Sequence, residues 1–204
     1  MTARSISIRK ATTDDTEAAA SVLAKAFEKS PPFQWTVPDD ERRPAILRDW
    51  FALLLARVWV PIGRVEVTSD LCAVAVWDSP GAGELSGSQA DDLSLRSGEI
   101  WGEFAPRAKR MRSLLDGSHP DQPHHNLAFI ATDPACQRQG VGSALLAQGL
   151  RQNDHSGIGS HLEAASPENV VFYQRFGFRE TGFIQVPEGP PIWAMWRNPS
   201  PPDS

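Results

Sequence analysis

Hydrophobic and polar positions alternate near the start of the chain. Ile6 and Ile8 are apolar and their neighbours are polar, a period of two that predicts a half-buried strand over residues 5–9. Apolar residues then recur every three to four positions from Ala19 to Phe27, which predicts a helix of roughly four turns. The breaker Ser30-Pro31-Pro32 predicts the end of this helix.

The same periodicities predict the elements of the middle of the chain, in which LCAVAVW (71–77) is apolar enough for a central strand. We predict a loop at 31–38, a helix at 39–60, strands at 64–68 and 71–77, a loop at 79–90, and a helical segment at 91–115 that Pro106 interrupts.

The last third of the chain has a regular order of strands, turns and helices. A strand pattern at 126–132 leads into the glycine turn QRQGVG (137–142) and then into a helix. Further on we predict a strand at 160–164, a helix from Pro167 to about Phe176 that Gly177 ends in the left-handed conformation, and strands at 178–186 and 192–197.

Composition restricts the class of protein. The chain has 204 residues, 41% hydrophobic and 22% charged, with a formal net charge of −5. These values fit one ordinary globular domain and exclude a disordered or collagen-like chain. The negative charge disfavours nucleic acid and anionic membranes as partners. Without a signal-peptide core or a long apolar segment, we expect a cytoplasmic protein whose cysteines, Cys72 and Cys136, are reduced thiols.

The turn at 137–142 has the features of an anion site. Backbone amides at a helix N-terminus attract phosphate, and glycines allow a close approach. The dinucleotide fingerprint requires a third glycine where Leu145 stands, and no Gly-Lys-Ser/Thr follows to make a phosphate-binding loop of the nucleotide hydrolases. The turn alone does not distinguish a binding site from a plain connection.

Two blocks together resemble the GNAT acyltransferases. QRQGVG fits the pattern Gln/Arg-x-x-Gly-x-Gly/Ala of that family, and NVVFY (169–173) with FGF (176–178) resembles its second block. Over nearly its full length the chain is similar to the puromycin N-acetyltransferase group of the family. The similar stretches are 9–15, 73–77, 137–146, 162–178 and 186–197, whereas 78–123 matches weakly and Arg138 stands where many members have glycine.

The resemblance implies an α/β (α+β) fold. We expect a mixed, mostly antiparallel sheet of six or seven strands, flanked by helices and splayed between the fourth and fifth strands, at 126–132 and 160–164. Residues 1–197 would form a single domain, followed by a disordered tail at 198–204. Acetyl-CoA would enter the split between the two strands.

The resemblance also assigns coenzyme-binding residues. Backbone groups of the fourth strand would pair with the pantetheine arm as an added strand would, amides of the glycine turn would hold the pyrophosphate, Asn169 would contact the coenzyme arm, and Tyr173 would point at its sulfur. The implied set is Ile130, Ala131, Thr132, Gln137, Arg138, Gln139, Gly140, Val141, Gly142, Ser143, Asn169 and Tyr173.

Direct acetyl transfer to an amine requires a base and an acid. Glu163 is the first candidate to remove the amine proton, directly or through water; His125 and water alone are the alternatives. Tyr173 is the candidate to protonate the departing thiolate, because a phenol stays protonated at neutral pH. The neighbouring His119, His124 and His125 lack a fourth ligand, so we expect no metal.

The predicted reaction is transfer of an acetyl group from acetyl-CoA to the primary amine of a small, antibiotic-like or aminonucleoside-like molecule, an activity of the antibiotic-resistance type. Phe33 and Trp35 would line the acceptor pocket, which the 78–123 region would help to shape. The alternatives are acetylation of a protein N-terminus or lysine, and a non-catalytic acyl-CoA sensor. A homodimer is possible within this interpretation.

Overall fold

The computed structural model describes residues 6–83 and 85–201. In this part of the chain, seven strands form one sheet with the order β1-β2-β3-β4-β5-β7-β6. The pair β4 and β5 is parallel, and the other neighbours are antiparallel. The strands are β1 (Ile8–Lys10), β2 (Arg64–Thr68), β3 (Ala73–Asp78), β4 (His125–Thr132), β5 (Ser160–Ala164), β6 (Arg179–Gln185) and β7 (Pro191–Arg197).

Helices cover both faces of the sheet. A π-helical segment, Leu55–Trp59, makes the third and fourth helices nearly continuous. No helix within the described ranges is both long and apolar enough to cross a membrane. The helices are α1 (Thr16–Phe27), α2 (Pro31–Thr36), α3 (Arg43–Leu54), α4 (Val60–Ile62), α5 (Gly87–Trp101), α6 (Ala105–Asp116), α7 (Val141–Ser156) and α8 (Pro167–Gln174).

The mixed, mostly antiparallel sheet predicted from the sequence is confirmed, but two predicted loops are partly helical. Pro31 and Pro32 begin α2 instead of opening a loop, because proline is compatible with the first turn of a helix. Helix α5 begins at Gly87, where Ser86 and Gln89 form a capping box. Of the segments predicted at the sequence level, Ser5, Glu84 and residues 202–204 lie outside the described residues.

Strand β3 separates the two main parts of the core. Its alternate residues point to opposite faces: Val74 and Val76 pack in the cluster of α1 and α3, whereas Ala75 and Trp77 pack in the cluster of α7 and α8. Gly149 of α7 lies so close to the sheet that a Cβ atom there would be 2.7 Å from Trp77 Nε1. Helix α7 therefore packs directly against the central strand β3.

A disulfide joins Cys72 to Cys136, so the prediction of two reduced thiols is wrong. The residues are 64 positions apart in sequence, and spacing alone does not show that they meet. Antiparallel pairing of Ala73 with Thr132 brings them together, since Cys72 precedes β3 and Cys136 follows β4. The bond ties the turn after β4 to the start of β3.

Asp15 fixes the start of α1 against β1. Both terminal nitrogens of Arg9 donate to its carboxylate, at 2.6 and 2.7 Å, and the Thr12 amide donates at 2.8 Å. The side chain of Asp15 is only 8% exposed. The Arg9 hydrogen bonds, with those of Thr12, hold the pKa of Asp15 well below its usual value.

We predict that Asp15→Asn lowers the thermal unfolding midpoint at pH 7 by about 2–4 °C, because the ion pair with Arg9 is lost. Since the pKa of Asp15 is lowered by folding, its stabilising effect is complete above the ordinary value near 4 and is lost as the pH falls below it. Calorimetry from pH 7 to pH 2 should therefore show that the difference in unfolding midpoint between the variant and the wild type shrinks below about pH 4.

Asp14→Asn is the matched control, because Asp14 is the exposed neighbour of Asp15. It should leave the unfolding midpoint nearly unchanged. An equal loss of stability in the two variants at pH 7, or a difference between Asp15→Asn and wild type that does not shrink between pH 4 and pH 2, would contradict the role of Asp15.

Candidate active site

The fourth and fifth strands pair only at one end. His125 pairs with Ser160 and Asn126 with His161, and the parallel register stops there. Strand β4 continues to Thr132 and β5 to Ala164, and within the described ranges residues 127–132 have no partner on the β5 side. The strands therefore splay apart where the sequence predicts the split.

Buried polar contacts hold the closed end of the split. The two ring nitrogens of His125 lie 3.0 Å from Ser79 Oγ and 2.9 Å from Ser156 Oγ. Burial lowers the pKa of His125 to about 4, so the ring is neutral near pH 7. His125, the alternative base from the sequence, thus has both nitrogens engaged in joining β3 and α7 to β4.

The glycine turn lies at the open end of the split. Arg138 and Gly140 both have a positive φ, +62° and +77°, and Gly140 is the N-cap of the 16-residue helix α7. A Cβ atom at Gly142 would lie 3.1 Å from Thr132 Oγ1, so glycine allows the helix start to approach the end of β4. Amides at the start of α7 are thereby placed beside the unpaired strand, as an anion site requires.

Helix α8 places the residues of the second block. Asn169 is exposed in the first turn, and its backbone N–H donates to Ser166 Oγ at 3.3 Å. Tyr173, one turn later, is buried against Phe172 and Phe178, with ring centroids 5.2 and 5.9 Å away. Burial raises the pKa of Tyr173, so its hydroxyl keeps its proton at neutral pH.

Glu163 points to the opposite face of β5 from Leu162 and Ala164, which pack with Tyr173. Its side chain is 12% exposed. Ser118 Oγ lies 3.1 Å from Glu163 Oε1, and His119 Nε2 lies 3.3 Å from the same atom. The hydrogen bond with Glu163 raises the pKa of His119. Sequence reasoning missed these two partners, because they come from a loop 45 and 44 positions earlier in the chain.

A cleft of about 400 Å³ opens next to Glu163. Ser118, which contacts Glu163, lines this cleft, and so does Ala194, the cross-strand partner of Glu163. The carboxylate therefore lies at the edge of a space between α6 and the β6–β7 hairpin. The lining residues are Leu114, Gly117, Ser118, Thr181, Gly182, Phe183, Ile184, Gln185 and Ala194.

The two aromatic residues predicted for the acceptor pocket lie in different surroundings. Phe33 packs among the rings of the α1–α3 core, 5.7 Å from Phe27 and 5.8 Å from Phe51. Trp35 lies under the guanidinium of Arg107, which is 5.1 Å from the ring centroid. Neither residue lines the cleft beside Glu163, so their contact with an acceptor stays a prediction.

Comparison with known proteins agrees with this geometry. Residues 111–180, which include β4, the glycine turn, α7, β5 and α8, match the family model of the acetyltransferase (GNAT) domain. One similar solved structure is described as histone acetyltransferase HPA2 and related acetyltransferase from Corynebacterium glutamicum. Its sequence is 28% identical to this chain, and the two structures superpose with a TM-score of 0.75. The alignment covers 98% of this chain and 99% of that one.

Two more distant structures show the same fold. The ribosomal-protein-S18-alanine N-acetyltransferase of Escherichia coli is 17% identical, with a TM-score of 0.55 over 96% of this chain and 95% of that one. The PaiA N-acetyltransferase of Thermoplasma acidophilum was solved in complex with coenzyme A. It is 12% identical in sequence, with a TM-score of 0.56 over 95% of this chain and 99% of that one. The chain therefore has the GNAT fold, and its residues 111–180 match the model of the GNAT acetyltransferase domain.

Proposed function

We propose that this protein transfers the acetyl group of acetyl-CoA to the primary amine of a small molecule. The observation that carries the proposal is the split between β4 and β5, which pairs over only two residue pairs and opens beside the glycine turn of α7. Glu163 and the packing partners of Tyr173 lie on the two faces of β5, at the border of this split.

The residues around the split fit coenzyme A. The unpaired backbone of Ile130, Ala131 and Thr132 would pair with the amide groups of a pantetheine arm. Amides from Arg138 to Ser143 would hold the pyrophosphate at the start of α7, where the helix dipole favours negative charge. The exposed side chain of Asn169, at the start of α8, would contact the coenzyme arm. A relative of the same fold was solved with coenzyme A, which supports the assignment.

The chain's own groups support direct attack by the amine. Bound acetyl-CoA would supply the acetyl group as a thioester. Glu163, held by Ser118 and His119, would accept the amine proton; the new bond forms between nitrogen and the acetyl carbon while the carbon–sulfur bond breaks. Tyr173 would give its proton to the departing thiolate. Both cysteines of the chain are in the disulfide, so neither is available as a free thiol nucleophile.

The size of the cleft favours a small acceptor. Its volume of about 400 Å³ falls in the roughly 300–1,000 Å³ range of small-molecule sites, and Ser118, which lines it, donates a hydrogen bond to Glu163. The resemblance to the puromycin N-acetyltransferase group suggests an antibiotic-like or aminonucleoside-like amine. Acetylation of a protein amine is the second candidate, and it is tested in the same experiment.

We expect acetyl-CoA-dependent release of free thiol with at least one member of a panel of small primary amines that includes puromycin. The panel should also contain peptides with free N-termini and peptides with an internal lysine. Turnover with peptides only would overturn the small-molecule assignment. Binding of acetyl-CoA without thiol release on any amine would overturn the catalytic assignment and indicate a sensor.

We predict that Tyr173→Phe lowers turnover about 100-fold, because the variant keeps the packed ring but removes the proton donor. The Kd of acetyl-CoA, measured by calorimetry, should change less than about threefold, since the hydroxyl does not hold the pyrophosphate. Tyr173 is the single tyrosine of the chain, so no other phenol can replace it.

The matched control for this prediction is Phe172→Leu, which alters the packing next to the Tyr173 ring and leaves the phenol in place. It should cost much less turnover than Tyr173→Phe. Wild-type turnover in Tyr173→Phe would remove the proposed role of the phenol.

A further inference from the structure

Three imidazole rings meet on the outer side of Glu163. His119 follows α6, His124 directly precedes β4, and His161 lies on β5. The ring centroids are 4.9 to 5.5 Å apart. One nitrogen of each ring lies within 4.8 Å of a nitrogen of each of the other two. The fold therefore joins three potential ligands from separate parts of the chain.

Each of the three rings has one nitrogen that faces a hydrogen-bond acceptor. A nitrogen that donates carries the proton, so in a neutral imidazole the lone pair lies on the other nitrogen. Metal-binding histidines almost always have such an outer acceptor, which fixes the tautomer. The contacts are His119 Nε2 to Glu163 Oε1 at 3.3 Å, His124 Nδ1 to the Gln122 carbonyl at 2.8 Å, and His161 Nδ1 to Asn126 Oδ1 at 3.2 Å.

The remaining nitrogens point toward one another or have no partner. His119 Nδ1 and His124 Nε2 lie 3.4 Å apart, and when both rings are neutral in these tautomers their lone pairs face each other. His161 Nε2 is buried and has no hydrogen-bond partner within the described residues. Protonation of His119 would satisfy the first pair but would leave the buried His161 Nε2 without a partner, which costs free energy. One metal ion between the rings could bind all three nitrogens.

We propose that His119 Nδ1, His124 Nε2 and His161 Nε2 bind a Zn²⁺ ion, with a fourth position left for water. Two nitrogens bound to one tetrahedral zinc at about 2.0–2.1 Å are about 3.3 Å apart, close to the 3.4 Å between His119 and His124. Imidazole ligands suit zinc, and three protein ligands with an open fourth position are common in zinc sites that contact water.

This site differs from the histidine group visible in the sequence. His125 belongs to the closed end of the strand split and has both nitrogens engaged, whereas His161 arrives from β5. The expectation of no metal depended on the missing fourth ligand, which an open site does not require. Glu163 accepts from His119, so the same carboxylate borders the zinc site and the proposed acetyl-transfer site.

Zinc binding is tested directly on the full chain, without a histidine tag, by calorimetric titration with Zn²⁺ and by the visible spectrum of added Co²⁺. We expect one ion per chain and a tetrahedral Co²⁺ spectrum. His119→Ala and His124→Ala should each weaken Zn²⁺ binding by about 100-fold or more. Removal of a residue that only hydrogen-bonds to a metal ligand typically costs about 10- to 100-fold.

His155→Ala is the matched control, because His155 is the exposed histidine of α7, outside the cluster; it should bind Zn²⁺ as the wild type does. His119 and His124 are only half-buried, so their variants can be checked for native fold by circular dichroism. The absence of saturable one-to-one binding, or binding that both variants retain, would overturn the site. The readout is metal binding, so failure of the acetyl-transfer proposal does not affect it.

Discussion

The parallel pairing of β4 and β5 over only two residue pairs is the constraint on which the candidate active site depends. His125 pairs with Ser160 and Asn126 with His161, and beyond these residues each strand follows a different antiparallel partner, β3 or β7. The sheet remains continuous, yet it leaves one strand edge unpaired in its interior. An edge that is normally a liability becomes a site where an extended ligand can add its own hydrogen bonds.

Helix α7 contacts both ends of this split. At its C-terminal turn, Asn153 donates to Ser160 Oγ at 2.9 Å and Ser156 contacts His125, which holds the closed end. Its first residue lies at the glycine turn, about 24 Å away for a helix of 16 residues. Gly149, midway along the helix, allows the close contact with Trp77. The disulfide adds a covalent link from the turn to the start of β3, so the glycine turn is anchored on two sides.

Local pattern predicted most of the fold, because the strands show alternating or continuous apolar runs and the glycine turn follows a strand and precedes a helix. It failed at Pro31, which the pattern assigns to a loop and which instead begins α2, and at Cys72 and Cys136, whose contact follows from strand register. The sequence suggested the candidate acid and base from their positions along the chain, but it did not predict which residues contact them. Ser118 and His119 reach Glu163 from a distant loop, and local sequence carries no signal for such a contact.

The most direct test of the split as a coenzyme site uses Gly140, the left-handed N-cap of α7. Asn and Asp are similar in size and both tolerate this conformation, so Gly140→Asn and Gly140→Asp differ mainly in charge at the proposed pyrophosphate position. The measurement is the Kd of acetyl-CoA for the two variants, by calorimetry. We predict binding at least about tenfold weaker in the Asp variant than in the Asn variant, the effect of about 1.4 kcal/mol of repulsion. Equal affinity would contradict the account.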